Sequence, residues 1–234
     1  MQRRKFNHAG ASLLSLLVLA TYRQAYALSL GDLTNAEASS GLKTALEKGA
    51  LAAISLLGRP DGFLGNPKVR IGLPGYLEDA SKLLKNFGQG KRIDELVTAI
   101  NRAAESAVPM GKDLLVGVVR SMNVNDAKKI LTGGDTSVTT FFADKTRAPL
   151  GIKFLPVVNQ ATEKVGLAGK YNEFAGKAAT FGLVKKEDTN IGQYVTGRTL
   201  DGLYLVIGEE ERKIRQDPVG TGSAILQKVF GTLK

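Results

Sequence analysis

The spacing of apolar residues constrains this chain most. Leu42, Ala45, Leu46, Gly49, Ala50, Ala53, Ile54 and Leu57 recur three and four positions apart, the repeat of one helix face. A strand would bury every second residue instead, and no stretch alternates in that way for more than a few positions. Thr34 and Glu37 have the spacing of a capping box before this run, and Gly58 is placed to end it. The same repeat predicts a helix over 76–87 and a third through Ile93, Leu96, Val97, Ile100, Ala103, Ala104 and Ala107. Pro109 should kink the third helix or start a new one running through Val119.

Further on, Asn125 is the expected cap of a short helix ending at Gly133-Gly134, and Asp135 or Thr136 the cap of the next, with Val138, Phe141 and Phe142 inward. Pro149 fits the first position of another helix over 150–165, bent at Pro156. A short piece around 171–179, a long helix over 199–215 and a terminal one over 223–230 complete the expectation. The fold class is all-α, a compact bundle of about eight to ten helices. Residues 58–75 are the exception: five glycines and three of the seven prolines stand in GRPDGFLGNPKVRIGLPG. Phe63, Leu64, Val69, Ile71 and Leu73 are too apolar for a free linker, so this is a long structured loop, either a cover over the core or a binding loop.

The N-terminus reads as a secretory signal. Arg3, Arg4 and Lys5 precede a short apolar run, AGASLLSLLVLAT, and a polar stretch ending Ala25-Tyr26-Ala27, with cleavage expected after Ala27. The run is too short for the roughly 20 apolar residues that cross a bilayer. Arg3-Arg4 resembles a twin-arginine export signal, and the general secretory route remains open beside it. With residues 1–27 removed, 28 basic and 22 acidic residues remain in a single domain, a net charge of +6. The single histidine, His8, leaves with the signal, and the chain has no cysteine. A Ser-His-Asp triad, a Cys-His pair and a thiolate or imidazole zinc site are therefore excluded from the mature chain. The expected product is exported, periplasmic or secreted, with no transmembrane segment, no metal and no cofactor.

Four separated motifs, DGFLGNPKVRIGLP (61–74), NRAAESAVPMGKDL (101–114), DAKKILTGGDTSVTTFF (126–142) and KFLPVVNQATEKVGL (153–167), resemble the bacterial domain-of-unknown-function family 4197. The likeness spans about residues 41–231. It implies an exported helical envelope protein, lipid-anchored in many relatives. The lipidated cysteine is missing here. The resemblance assigns no activity to any residue.

Among chemistry-bearing residues, Asn101 and Glu105 lie one helical turn apart, flanking the apolar face, while Arg102 points nearly opposite its centre. A carboxylate beside a pocket serves as a general acid or base or as an oxygen ligand; the plain alternative is a hydrogen bond to a neighbouring segment. Glu105 is the one residue worth testing as catalytic, and Asn101, Glu105, Phe63 and Leu64 form the expected binding set. Gly133-Gly134-Asp135-Thr136 lacks the lysine of a phosphate loop and reads as a helix stop and cap, and Gly88-x-Gly90 has no strand before it. Asp188-x-Asn190-x-Gly192 opens like a calcium loop but lacks its turn glycine and its bidentate glutamate.

Between 143 and 186, eight basic residues face three acids, which directs attention to an anionic envelope surface as partner. Nucleic acid is not expected. The run Glu209 to Lys213 fits a solvated helix face. The leading expectation is a non-enzymatic binder of an apolar or amphiphilic ligand or an envelope partner; the alternatives are a carboxylate-dependent hydrolase of an envelope polymer and a structural or assembly protein.

Overall fold

The computed structural model describes residues 35–75, 78, 90–134, 136–164, 166, 168–169, 171–172, 180 and 189–217. The expected signal peptide with Ala25 and Ala27, the cap residue Thr34, the helix at 76–87 apart from residue 78, the piece around 171–179 apart from 171–172, and the helix at 223–230 lie outside the described residues. Among the described residues the chain is all-helical. The elements are α1 (Asn35–Leu57), α2 (Gly90–Ala107), a 3-10 turn (Val108–Gly111), α3 (Lys112–Ser121), α4 (Val124–Thr132), α5 (Ser137–Glu163) and α6 (Ile191–Gln216). These are fewer than the eight to ten helices expected for the whole chain.

The apolar repeats are buried as their spacing requires. Every residue of the α1 stripe from Leu42 to Leu57 is buried, as are Ile93, Leu96, Ile100, Ala103, Ala104 and Ala107 on α2. Pro109 does end α2: a 3-10 turn holds it, and α3 starts directly afterwards. The longest helices carry the packing. α5 lies along α6, α6 along α1, and α2 along the other side of α5, while α3 and α4 close the far side of α1. Phe142, Leu150, Phe154 and Val158 of α5 and Leu200, Leu203 and Ile207 of α6 meet in one continuous core.

Three boundaries and one exposed face differ from the sequence expectation. The cap of α4 is Asn123, not Asn125: its side chain accepts from the Asp126 backbone N–H at 2.8 Å, and Asp126 accepts in return from the Asn123 N–H, a reciprocal capping box. Pro149 does not start a helix but lies inside α5, as does Pro156. Both rings are exposed, and so are Lys145 and Ile152, whose carbonyls lose their i+4 donors. Water can serve those carbonyls, so the helix runs on through both prolines. α6 starts well before Thr199, at Ile191, because Asn190 caps it by accepting from the Gln193 N–H at 3.1 Å. Asn190 and Gly192 therefore belong to a helix start and not to a calcium loop. Finally, Glu211 is buried where α6 crosses α1 at Gly49, so the 209–213 run is not wholly a solvated face.

Candidate functional site

The 58–75 loop is a chain of tight turns wedged between α2 and α6. Backbone bonds from Gly62 to Arg59, Gly65 to Asp61, Asn66 to Phe63 and both Val69 and Arg70 to Asn66 fold it on itself. Asp61 takes the left-handed conformation, φ 64°, that lets the first turn close. Two glycines permit the docking. A Cβ on Gly62 would stand 2.5 Å from the Leu57 carbonyl oxygen at the end of α1, and one on Gly202 of α6 would stand 2.9 Å from the Phe63 ring. Phe63 is thereby fully buried, and Val69 and Ile71 follow it into the core; Leu64 is half-buried.

The two polar residues singled out on α2 hold this loop in place. Glu105 accepts the backbone N–H groups of Phe63 and Leu64 on one oxygen, each at 3.1 Å, and the Arg102 guanidinium on the other at 2.7 Å. Asn101 is fully buried and acts as a strand edge would. Its amide oxygen accepts the Ile71 N–H at 2.9 Å, and its amide nitrogen donates to the Ile71 carbonyl at 2.8 Å and to Val97 at 2.7 Å. A loop without a ladder has buried backbone groups to satisfy, and these side chains satisfy them. The structure thus brings Asn101, Glu105, Phe63 and Leu64 together, with the polar atoms of the first two turned to the loop backbone.

Arg102 does not point away from the site as the helical wheel implied. Its long side chain bends to Glu105 and extends to Asp61 at 2.8 Å, bridging helix and loop. The hydrogen bond it donates to Glu105 raises its pKa above the ordinary value; burial works against this, and Asp61 adds to it. Tyr194 completes the clamp from α6, donating to the Gly72 carbonyl at 3.1 Å, and Lys68 pairs with Glu209 at 2.7 Å. Sequence reasoning missed Asp61, Gly202 and Tyr194, since none of them carries a local pattern. Residues 61–74 and 101–114 had stood out as separate motifs, and their pairing in space was the available signal.

Beside this latch, α2 and α5 leave an open groove of about 420 Å³. Its floor is Ala99, Ala103, Val157 and Ala161, and its rim Arg102, Ser106, Gln160 and Lys164. No group of three or more His, Cys, Asp or Glu suited to a metal occurs among the described residues, and no described helix is long and apolar enough to cross a membrane. The basic residues of 143–186 that are described are divided among neighbours. Arg147 pairs with Asp201 at 2.6 Å and lies over the Tyr204 ring, Lys153 approaches the Met110 carbonyl, and Lys145 lines a cleft beside Asp126 and Lys129 of α4.

These features define a helical domain built around a latched internal loop. The chain belongs to the family described as protein of unknown function (DUF4197), whose model matches residues 32–231. No curated protein and no solved structure matches it.

Proposed function

We propose that this is an exported, non-enzymatic protein that binds an anionic amphiphile in the groove between α2 and α5. The observation that carries the reading is the lining of that groove: small apolar side chains along the floor, with Lys164 at the rim and no carboxylate among the lining residues. An alkyl chain gains from contact with the Ala and Val floor, while a carboxylate or phosphate head is drawn to the Lys164 ammonium at the rim. The hydrolase reading has less support, because both oxygens of Glu105 are engaged and the residue is almost wholly buried. A general acid must reach the substrate's leaving atom, and this carboxylate faces a loop backbone. The N-terminal sequence supports export, and the envelope is where such amphiphiles abound.

The test is native mass spectrometry of the protein taken from its own host, before and after organic extraction, paired with Ala161→Trp to fill the groove. Extractable mass of a fatty or phospholipid class, absent from the tryptophan variant, is the expected result. A bare protein that also takes up no added fatty acid would overturn the reading.

A further inference from the structure

A second, smaller cleft lies on another face, between loop residues 68–71 and α6. It has a volume of about 150 Å³ and is lined by Lys68, Val69, Arg70, Ile71, Arg198, Asp201, Gly202 and Leu205. Three cations therefore meet one carboxylate, and that carboxylate is already taken: Arg147 holds Asp201 at 2.6 Å, leaving Arg198 only a loose contact at 3.8 Å. Arg198 is steadied instead over the Tyr194 ring, 5.9 Å from its centroid. Arg70 is exposed, and its guanidinium makes no ion pair or side-chain hydrogen bond among the described residues. Lys68 is tied to Glu209, which fixes the lip of the cleft.

We propose that this cleft receives a phosphoryl group, held by the forks of Arg70 and Arg198. Two arginines lining one small opening suit the oxygens of a tetrahedral dianion, and a planar fork grips them in pairs where an ammonium would act as a point charge. Neither side chain must leave a strong partner to do so. Leu205, large, apolar and 43% exposed, borders the same opening and offers contact to an organic group carried by the phosphate. The site is independent of the α2/α5 groove, so either can fail alone.

The phosphoryl group has two sources, a free phosphate or the headgroup of a phospholipid, and the experiment separates them. The purified protein is titrated calorimetrically with inorganic phosphate, and its co-sedimentation is measured with phosphatidylglycerol vesicles and with phosphatidylcholine vesicles. Arg70→Ser is run beside it, because that exposed side chain makes no ion pair or side-chain hydrogen bond among the described residues; its thermal melt should match that of the natural protein. Saturable phosphate binding weakened about tenfold or more in Arg70→Ser supports the site with a free anion as its ligand. Vesicle binding that requires phosphatidylglycerol and falls by a similar factor in Arg70→Ser, without phosphate binding, supports the site with a lipid headgroup as its ligand. No binding of either kind, or binding undiminished in Arg70→Ser, overturns the proposal.

Discussion

Asn101 and Glu105 each replace interactions that a β-ladder would otherwise supply to the loop. Asn101→Ala would leave the Ile71 N–H and carbonyl without their partner in a buried place, at about 1–3 kcal/mol for each group left unpaired. Glu105→Gln keeps an oxygen for the Phe63 and Leu64 amides but turns an NH2 toward Arg102, losing a charge-assisted bond worth about 1.5–3 kcal/mol. Both variants should speed amide exchange at Phe63, Leu64 and Ile71 and expose 58–75 to protease before the helices open, Asn101→Ala more strongly. Unchanged exchange at these amides would mean that the loop is held by Phe63 burial alone. Helical spacing set both residues one turn apart flanking the apolar face of α2, and the structure buries both of them under the loop. Spacing could not name their loop partners, which stand 30 or more residues away in the chain.

At the scale of elements, α5 departs furthest from local preference. Two prolines inside one helix argue for two helices on propensity alone. They are tolerated because α5 buries Phe141, Phe142, Leu150, Phe154 and Val158 along its length, while both rings face solvent. Pro156→Ala should restore the bond to the Ile152 carbonyl and stabilise the protein by about 2 kcal/mol, the helix-interior penalty of roughly 3 kcal/mol less about 1 kcal/mol of lost unfolded-state restriction. A rise in the denaturation midpoint checks this. A fall would show that the packing against α2 or α6 needs the proline geometry. The misplaced caps have a simpler cause. Asn123 and Asn125 are both capping residues by type, and only the reciprocal bond with Asp126 distinguishes them.

Across the whole molecule, the long α5–α6 interface contains a buried hydroxyl pair, Thr146 and Tyr204, 2.9 Å apart. Burial raises the Tyr204 pKa above its ordinary value of 10.0, with the Thr146 bond and the nearby Arg147 acting in the opposite direction. A raised pKa means that the folded state prefers the protonated phenol more than the unfolded state does. The associated stability is whole below the ordinary tyrosine pKa and is lost as pH climbs through it toward the folded value. Phenolate absorbance should therefore show a tyrosine titrating above the ordinary range, and stability should decline above about pH 10. In Tyr204→Phe the late titration should vanish and the alkaline decline weaken, while the lost hydrogen bond costs about 1 kcal/mol at neutral pH. A late tyrosine that persists in this variant would place the effect elsewhere.

The sequence by itself determined the helical class, the buried faces of α1 and α2, the stop at Pro109, the apolar character of the 58–75 loop and the family, because periodicity and motifs are local or linear properties. Composition likewise removed thiolate chemistry and left a single histidine, His8. Only the tertiary structure decided that Asn101 and Glu105 serve the loop backbone, that Arg102 turns back to Asp61, and that Gly202 leaves room for Phe63. It also decided that Lys145, Arg147 and Lys153 go to different neighbours and that Arg70 and Arg198 line one cleft. Such pairings join segments far apart in the chain. No local rule encodes them, since each depends on which faces the helices present to one another once their apolar stripes are buried.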